Sequence, residues 1–540
     1  MASPAAEAVL RYHRRTKHRL DRYARSPGYL DWDNQPDPFR RYDGCERYAL
    51  PLAAEDPPGG PLDLYEGARA ARAPDRAAVG LFLELSLGLS AWKSAGGARW
   101  ALRIHPSSGN LHPTEGYLVL PPLDGLPAGL YHYQPFWHAL ELRAEAGEPF
   151  TGLLAPGSRP AGFLFGLTSI FWREAWKYGE RAFRYCLLDA GHALAAARFA
   201  AALLGWRLAL LTTLADDQTA AVLGIDRTAF AENEEEHPEL LAWVATDPSA
   251  PPPATLPAAA LAAAGRLRLA GVPNRLSAQP LAWPEISRAA AACRKPETPP
   301  PAPVPHAARP WLPGPESPLS AARILRRRRS GLAFDPRRSL ERERFLVLLD
   351  RTLPRPGKAP FDALAEPAEV DLLLFVHRVA GLPPGLYLLV RAEAHEGPLR
   401  RAMAARFRWE PVLPGFPLFL LEEGDFRGLA RLVSCHQEIA GDGAFSLGMI
   451  ARFEEGVRRE PFRYRRLFRE CGMIGQVLYL EAEAHGFRGT GIGCFFDDEV
   501  HEAAGLEGLS FQSLYHFTVG APVEDPRITT LPPYGHLAAR

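Results

Sequence analysis

At 540 residues the chain is too long for one ordinary hydrophobic core, so two or more domains are expected. Its 62 basic residues balance 62 acidic ones, which leaves no global field to draw it to nucleic acid or to a membrane surface. The six cysteines (Cys45, Cys186, Cys293, Cys435, Cys471 and Cys494) form no CxxC pair and no Cys/His cluster of zinc spacing, which points away from a metal site and towards a reducing, cytoplasmic setting.

In chain order, the N-terminus has no basic stretch ahead of an apolar run, so no signal peptide is expected. Residues 103–117 (RIHPSSGNLHPTEGY) place a turn-rich run, Pro106, Ser107, Ser108, Gly109 and Asn110, before a strand. Its hydroxyls, amide and approachable backbone suit a polar heterocycle edge, and an ordinary polar loop has the same make-up. Residues 117–131 (YLVLPPLDGLPAGLY) read as strand, Gly/Pro turn and strand. A long apolar helix follows and ends at Gly205, a residue suited to a helix C-terminus. Arg198, Gly205 and Arg207 interrupt the apolar run 194–214, so it is not expected to cross a membrane.

Residues 256–293 read as Ala-rich helix, and residues 296–318 (PETPPPAPVPHAARPWLPGPESP) as a semi-rigid polyproline spacer. Beyond it, Arg326, Arg327, Arg328 and Arg329 precede Ser330. Arginine forks match phosphate geometry, although a run of four is often a solvated helix face. Residues 490–498 (TGIGCFFDD) place Gly491, Ile492 and Gly493 where backbone N–H groups can approach a ligand closely; a tight loop with no ligand would read the same. Asp497 and Asp498 are expected to cap the next helix, and Arg527 to serve structure more than ligand.

The two flanks of the spacer repeat one another. Phe183, Gly205 and Gly224 are matched by Tyr464, Gly486 and Gly505, each 281 positions on. Upstream, residues 117–131 match 373–387 (LLFVHRVAGLPPGLY) at an offset of 256. Two ungapped blocks in the same order imply a duplication.

The stretches PSSGNLHPTE, KYGERAFRYCLLDAGH and GIGCFFDDEV resemble the nitroreductase superfamily, specifically its SagB-type dehydrogenase or thiazoline/oxazoline oxidase branch. Residues 12–42 also resemble the leader of that group's long members. The resemblance implies an α+β fold: two tandem nitroreductase-like domains, each an antiparallel-rich sheet flanked by helices, forming an intrachain pseudo-dimer. The implied layout is a leader at 1–75, domain one at 76–250, a connector at 251–318 and domain two at 319–530. It further implies FMN at the interface. One subunit supplies an Arg-Arg-Ser phosphate motif and a Gly-rich loop, and the other a Pro-Ser-x-x-Asn-type loop.

The offsets divide these parts between the halves. Equivalents of Arg326–Ser330 fall near Ala70–Pro74, those of Pro106–Asn110 on Asp362–Glu366, and those of Gly491 and Gly493 on Leu210 and Thr212. One complete flavin site is therefore expected, with a mirror site that binds none. Lys177 and Tyr178 match a Lys-Tyr pair that the family associates with the dehydrogenase reaction. A desolvated Lys can act as base and a Tyr can relay a proton; a surface Lys beside a packing Tyr is the plain alternative. His112 is a candidate for the substrate pocket, while His105 and His192 read as structural. The expected substrate is a small heterocycle or modified peptide, with an NAD(P)H-driven nitro or quinone reductase, or a non-catalytic flavin-fold binder, as alternatives. An internal pseudo-dimer removes the usual reason to pair, so a monomer is expected.

Overall fold

The computed structural model describes residues 3–68, 70–156, 161–247, 252–253, 255–302 and 309–537. Two seven-stranded sheets dominate it. The first runs, edge to edge, Arg47–Ala49, Ala139–Glu145, Gly129–Gln134, Thr114–Leu120, Gly162–Ile170, Glu236–Ala245 and Arg207–Leu210. The second runs Glu410–Leu413, Phe416–Glu423, Gly385–Leu389, Val370–Val376, Phe445–Arg452, Phe511–Gly520 and Arg488–Ile492. From Ala139–Glu145 and Phe416–Glu423 onward the order is the same in both, only the outermost edge strands coming from different places in the chain, and neighbouring strands are antiparallel. Even single bonds repeat. Tyr131 donates its hydroxyl to the Pro127 carbonyl at 2.6 Å, and Tyr387, 256 positions on, donates to Pro383 at 2.7 Å.

Each half contributes one 22-residue helix, Ala182–Leu203 and Arg463–Ala484, and these two pack on each other at the centre. Every residue of the first is buried, which explains its Ala-rich, uniformly apolar text. The helical stretch Phe171–Leu203 is long and apolar enough to span a membrane, but its apolar window lies wholly inside the protein. Such a helix is a core element on two sides.

The described residues ahead of 76 are woven into both halves. The helix Pro4–Arg15 seats Tyr12 against Phe183 and Tyr464, at ring separations of 5.8 and 6.2 Å, so one N-terminal ring touches both members of a repeat-related pair. Arg47–Ala49 is an edge strand of the first sheet. The Ala-rich region holds two helices, Ala258–Ala264 and Pro284–Ala292, and the second packs on Pro4–Arg15. Within the Pro-rich spacer, Trp311 stacks under Arg355, whose guanidinium lies 3.7 Å from the ring centre. Residues 303–308 of the spacer lie outside the described residues.

Two hairpin strands of the first half, Leu89–Ala95 and Ala98–Arg103, accept a third from the C-terminal tail, Thr529–Leu531. Tyr534 anchors that tail by accepting the Leu89 N–H at 2.8 Å. The second half thus reaches back over the first, and the crossing roofs the site.

Candidate active site

A cavity of about 670 Å³ lies between the halves. Its floor is Tyr185, Asp189 and His192 of the first long helix with Tyr479 of the second and Tyr515 of the adjoining strand. Residues 106–110 and Tyr178 form one wall, and residues 328–330 with 491–494 the opposite one. Lys93, Trp100 and Leu102 of the hairpin and residues 523–526 and 528 of the tail close the top.

The 106–110 loop is held by its own polar groups. Ser108 donates its N–H and hydroxyl to Asp189 (3.1 and 3.0 Å), and Ser107 Oγ accepts the His112 N–H at 2.8 Å. Asn110 donates its amide to the Ala101 carbonyl at 2.9 Å. These three side chains, expected to meet a ligand directly, therefore use these groups to fix the loop against the cavity. Gly109 has φ +58°, and a Cβ there would stand 2.6 Å from the Tyr178 hydroxyl, so both backbone and space require glycine. Asn110 and His112 also have positive φ, an arrangement that costs about 1 kcal/mol or more per residue and is held by those bonds.

On the opposite wall the helix Ala321–Arg327 ends and the chain turns at Arg328. That turn separates the arginines. Arg328 and Arg329 line the cavity, whereas Arg327, still helical, pairs outward with Glu483 at 3.1 Å and is half exposed. The expectation that Arg327 belongs to the phosphate clamp is corrected by this change of backbone direction. Arg328 donates to the carbonyls of Ile104 and Arg103, both at 2.9 Å, and so ties the second half to the first. Ser330 and Tyr479 exchange a hydrogen bond of 3.0 Å, and Tyr479 Oη accepts the Gly491 N–H at 2.8 Å. The arginine turn and the Gly-rich strand are thus one unit.

Lys177 needs a second correction. It closes the helix Phe171–Tyr178 but does not line the cavity, while Tyr178 does. Successive helical residues point about 100° apart, so both cannot face one wall. The Lys177 ammonium instead lies 5.3 Å from the centre of the Tyr178 ring. Burial, with Glu174 beside it, holds the Tyr178 phenol well above its usual range and so protonated. Asp189 is pushed up to about 7 by burial, against the Ser107 and Ser108 hydrogen bonds.

Four cations converge at one end: Lys93, Arg328, Arg329 and Arg488. Burial, then Arg328, draws Arg329 down to about 9, and burial with Arg329 and Arg488 lowers Lys93. Lys93 bonds Thr530 at 2.7 Å, and Arg488 meets the largely exposed Glu524 at 2.7 Å. Burial is the larger cause in both and neighbouring cations add to it, so positive charge is gathered at this end of the cavity. Lys93, Arg488 and Trp100 carry no sequence motif and were not anticipated, and Asp189 lies within the 177–192 stretch without having been singled out. His192, read as structural, is part of the floor, bonded to Tyr515 Oη at 3.2 Å and kept neutral by burial, which takes it down to about 3. His112 lines the cavity and burial likewise lowers it. Arg527 is exposed and bound to Asp525 at 2.7 Å.

Asp497 does not cap its helix. It is buried and accepts from Arg181 at 3.0 Å, Arg184 at 2.8 Å and the His18 N–H at 3.1 Å. The pseudo-symmetric partner is Asp216, which pairs with Arg465 across the halves.

The mirror position is a cleft of about 70 Å³. Leu210 and Thr212 stand there in place of the two glycines and Glu366 in place of Asn110. The connector runs beside it, with Lys295 in its lining: Lys295 N–H bonds Asp216 at 2.9 Å, and the Thr298 N–H and hydroxyl bond the carbonyls of Thr213 and Thr212 at 3.0 and 3.2 Å.

Residues 325–521 match the nitroreductase family. A nitroreductase-like protein of Anabaena variabilis ATCC 29413 is similar in structure over 96% of this chain and 99% of its own, at 22% identity and a TM-score of 0.69. A nitroreductase-like protein of Ralstonia eutropha JMP134 covers 43% of this chain and is itself wholly covered (17% identity, TM-score 0.28). The Escherichia coli microcin synthetase McbBCD complex with truncated pro-MccB17 covers 45%, with 92% of that chain aligned (18% identity, TM-score 0.26). No curated protein matches. The chain has the nitroreductase fold.

Proposed function

We propose, from a C-terminal half that matches the nitroreductase family, that this chain is an FMN-dependent oxidoreductase of the SagB-type dehydrogenase/oxidase kind with one flavin site between its halves. The observation that carries the reading is the cavity itself. It gathers the 106–110 loop from one half and Arg328, Arg329, Ser330, Gly491, Ile492 and Gly493 from the other. Its volume falls within the range of cofactor pockets, roughly 300–1,000 Å³. The cations gathered at one end fit a phosphate dianion, and the floor of aromatic rings fits a flat heterocycle.

Flavin, when bound, supplies the two-electron chemistry. The chain's own residues position it and manage protons. Lys93, Arg329 and Ser330 would hold the phosphate, while Arg328 fixes the wall to the first half. Tyr178, protonated and facing the cavity, is the proton donor or relay, and Asp189, poised near neutrality, is the group with which it can communicate through the loop. Lys177 acts on Tyr178 from outside. The substrate class is a small heterocycle or a modified peptide, admitted beside the polar 106–110 loop.

The test is the visible spectrum and released flavin of the purified full chain. One FMN per chain, lost in Arg329→Gln, supports the reading. Two per chain would overturn the single site, and none under gentle purification would overturn the flavin enzyme altogether.

A further inference from the structure

Cys494 follows Gly493 directly and lines the cavity. Cys435 comes to it from the turn between the helices Arg427–Val433 and Ile439–Asp442, and the two Sγ atoms stand 2.7 Å apart. Both thiols are partly exposed, whereas Cys186, Cys293 and Cys471 are buried. The turn is built unusually to make this approach. Cys435 and His436 have φ of +53° and +59°, consecutive left-handed residues neither of which is glycine. Gln437 braces it by donating Nε2–H to the Cys494 carbonyl at 3.1 Å and to the Ser434 carbonyl at 2.9 Å.

The surroundings distinguish the two sulfurs. The Ala24 N–H donates to His18 Nδ1 at 2.9 Å, which leaves a neutral ring its proton on Nε2, and His18 hydrogen-bonds Cys494. Arg181 donates to the Gly493 carbonyl at 3.1 Å, setting a guanidinium one residue from the thiol. Asp497 is the opposing charge, and its oxygens are taken by Arg181 and Arg184. Tyr23 faces Cys435 and Tyr185 lies near Cys494, and burial first of all keeps both phenols neutral. The hydrogen bond shared with Cys435, then His18 and Arg181, favour the Cys494 thiolate and lower its pKa, while the same bond and burial raise that of Cys435.

We infer that Cys435 and Cys494 are a redox-active pair on the cavity wall, cycling between dithiol and disulfide by exchange with a low-molecular-weight disulfide. The Cys494 thiolate attacks one sulfur of R–S–S–R, forming a Cys494–S–R bond and releasing one thiolate. Cys435 then gives up its proton and attacks Cys494 Sγ, closing the intrachain disulfide and releasing the second thiolate. Two electrons leave the protein, and the external disulfide departs as one thiolate, displaced by Cys494, and one thiol, which carries the Cys435 proton. The inference needs no bound flavin, so its failure and that of the flavin reading are distinguishable.

The experiment treats the full chain with oxidised glutathione and maps the disulfides by mass spectrometry. The expected result is a Cys435–Cys494 link in the native protein and glutathione retained on Cys494 in Cys435→Ser. Iodoacetamide near pH 6, applied to the reduced native protein, should label Cys494 about ten-fold faster than any other cysteine, in line with a depressed thiol pKa. No link in the native protein, or labelling of Cys494 no faster than of Cys45, would overturn the inference without recourse to any variant.

Discussion

Gly191 and Gly472, 281 positions apart, face each other where the two long helices cross. A Cβ on Gly191 would stand 2.1 Å from the Arg469 carbonyl oxygen, and a Cβ on Gly472 would stand 2.1 Å from the Leu188 carbonyl oxygen. Since 469 is also 188 plus 281, the two contacts are images of one another. The pseudo-dyad runs through this crossing, and backbone meets backbone there.

Alanine at either position must therefore force the helices apart. Gly191→Ala and Gly472→Ala are each expected to cost about 1–3 kcal/mol or more, as over-packing against immovable atoms does. Gly428→Ala, in the helix Arg427–Val433 with nothing within 4 Å, is the control and should be neutral or stabilising. Chemical denaturation of the three variants measures the difference.

Asp497→Asn should be among the most destabilising single changes. It leaves Arg181 and Arg184 buried without their counter-charge, a loss of about 3–5 kcal/mol. The two arginines hold the Asp497 carboxyl far below the usual carboxylate range, against its burial. A depressed acid stabilises the fold fully above its unfolded pKa, about 4, and that stabilisation is lost as pH falls towards the folded value. The gap between native protein and variant should stay constant from neutral pH to about 5 and narrow only below about 4, as followed by unfolding across pH.

Tyr178→Phe should leave FMN content unchanged while lowering turnover by about 10²–10⁴, the usual contribution of a positioned proton donor. Lys177→Met, by contrast, should lower turnover far less, because its ammonium acts only through the Tyr178 ring. Equal losses in the two variants would move Lys177 into the reaction itself. Steady-state rates beside flavin content separate these cases.

Lys93→Gln should weaken FMN retention about 10- to 100-fold, the range for one charge-assisted hydrogen bond of about 1.5–3 kcal/mol. Arg527→Gln should not, since that guanidinium is engaged with Asp525 at the surface. Equilibrium dialysis against free FMN reports both.

The repeat could be read from the text because its glycines and tyrosines occupy positions the fold cannot vary: the helix-ending Gly205 and Gly486, and Tyr131 and Tyr387 with their matched backbone bonds. The two cavity walls were legible for the same reason, since turns and close approaches leave Gly, Pro and Ser in the sequence. What failed was direction. Arg327 and Arg328 are alike as letters, and only the end of a helix between them decides which meets the cavity. Asp497 looks like a cap because its true partners, Arg181 and Arg184, lie more than 300 positions away. The roof was silent: Lys93, Trp100 and the tail belong to no motif and meet only after the C-terminus has crossed to the first hairpin.

The connector at Lys295–Thr298 gives the fusion a consequence that a pair of identical subunits cannot have. In a symmetric dimer every substitution is made twice, so a change that improves one site is imposed on the other. Here each position exists once on each side of the dyad, and Glu366 or Leu210 could drift without touching Asn110 or Gly491. The connector runs along this cleft and sets Lys295 in its lining. A second site would need Lys295 displaced as well as glycines and arginines introduced, so the path of the chain adds to the asymmetry.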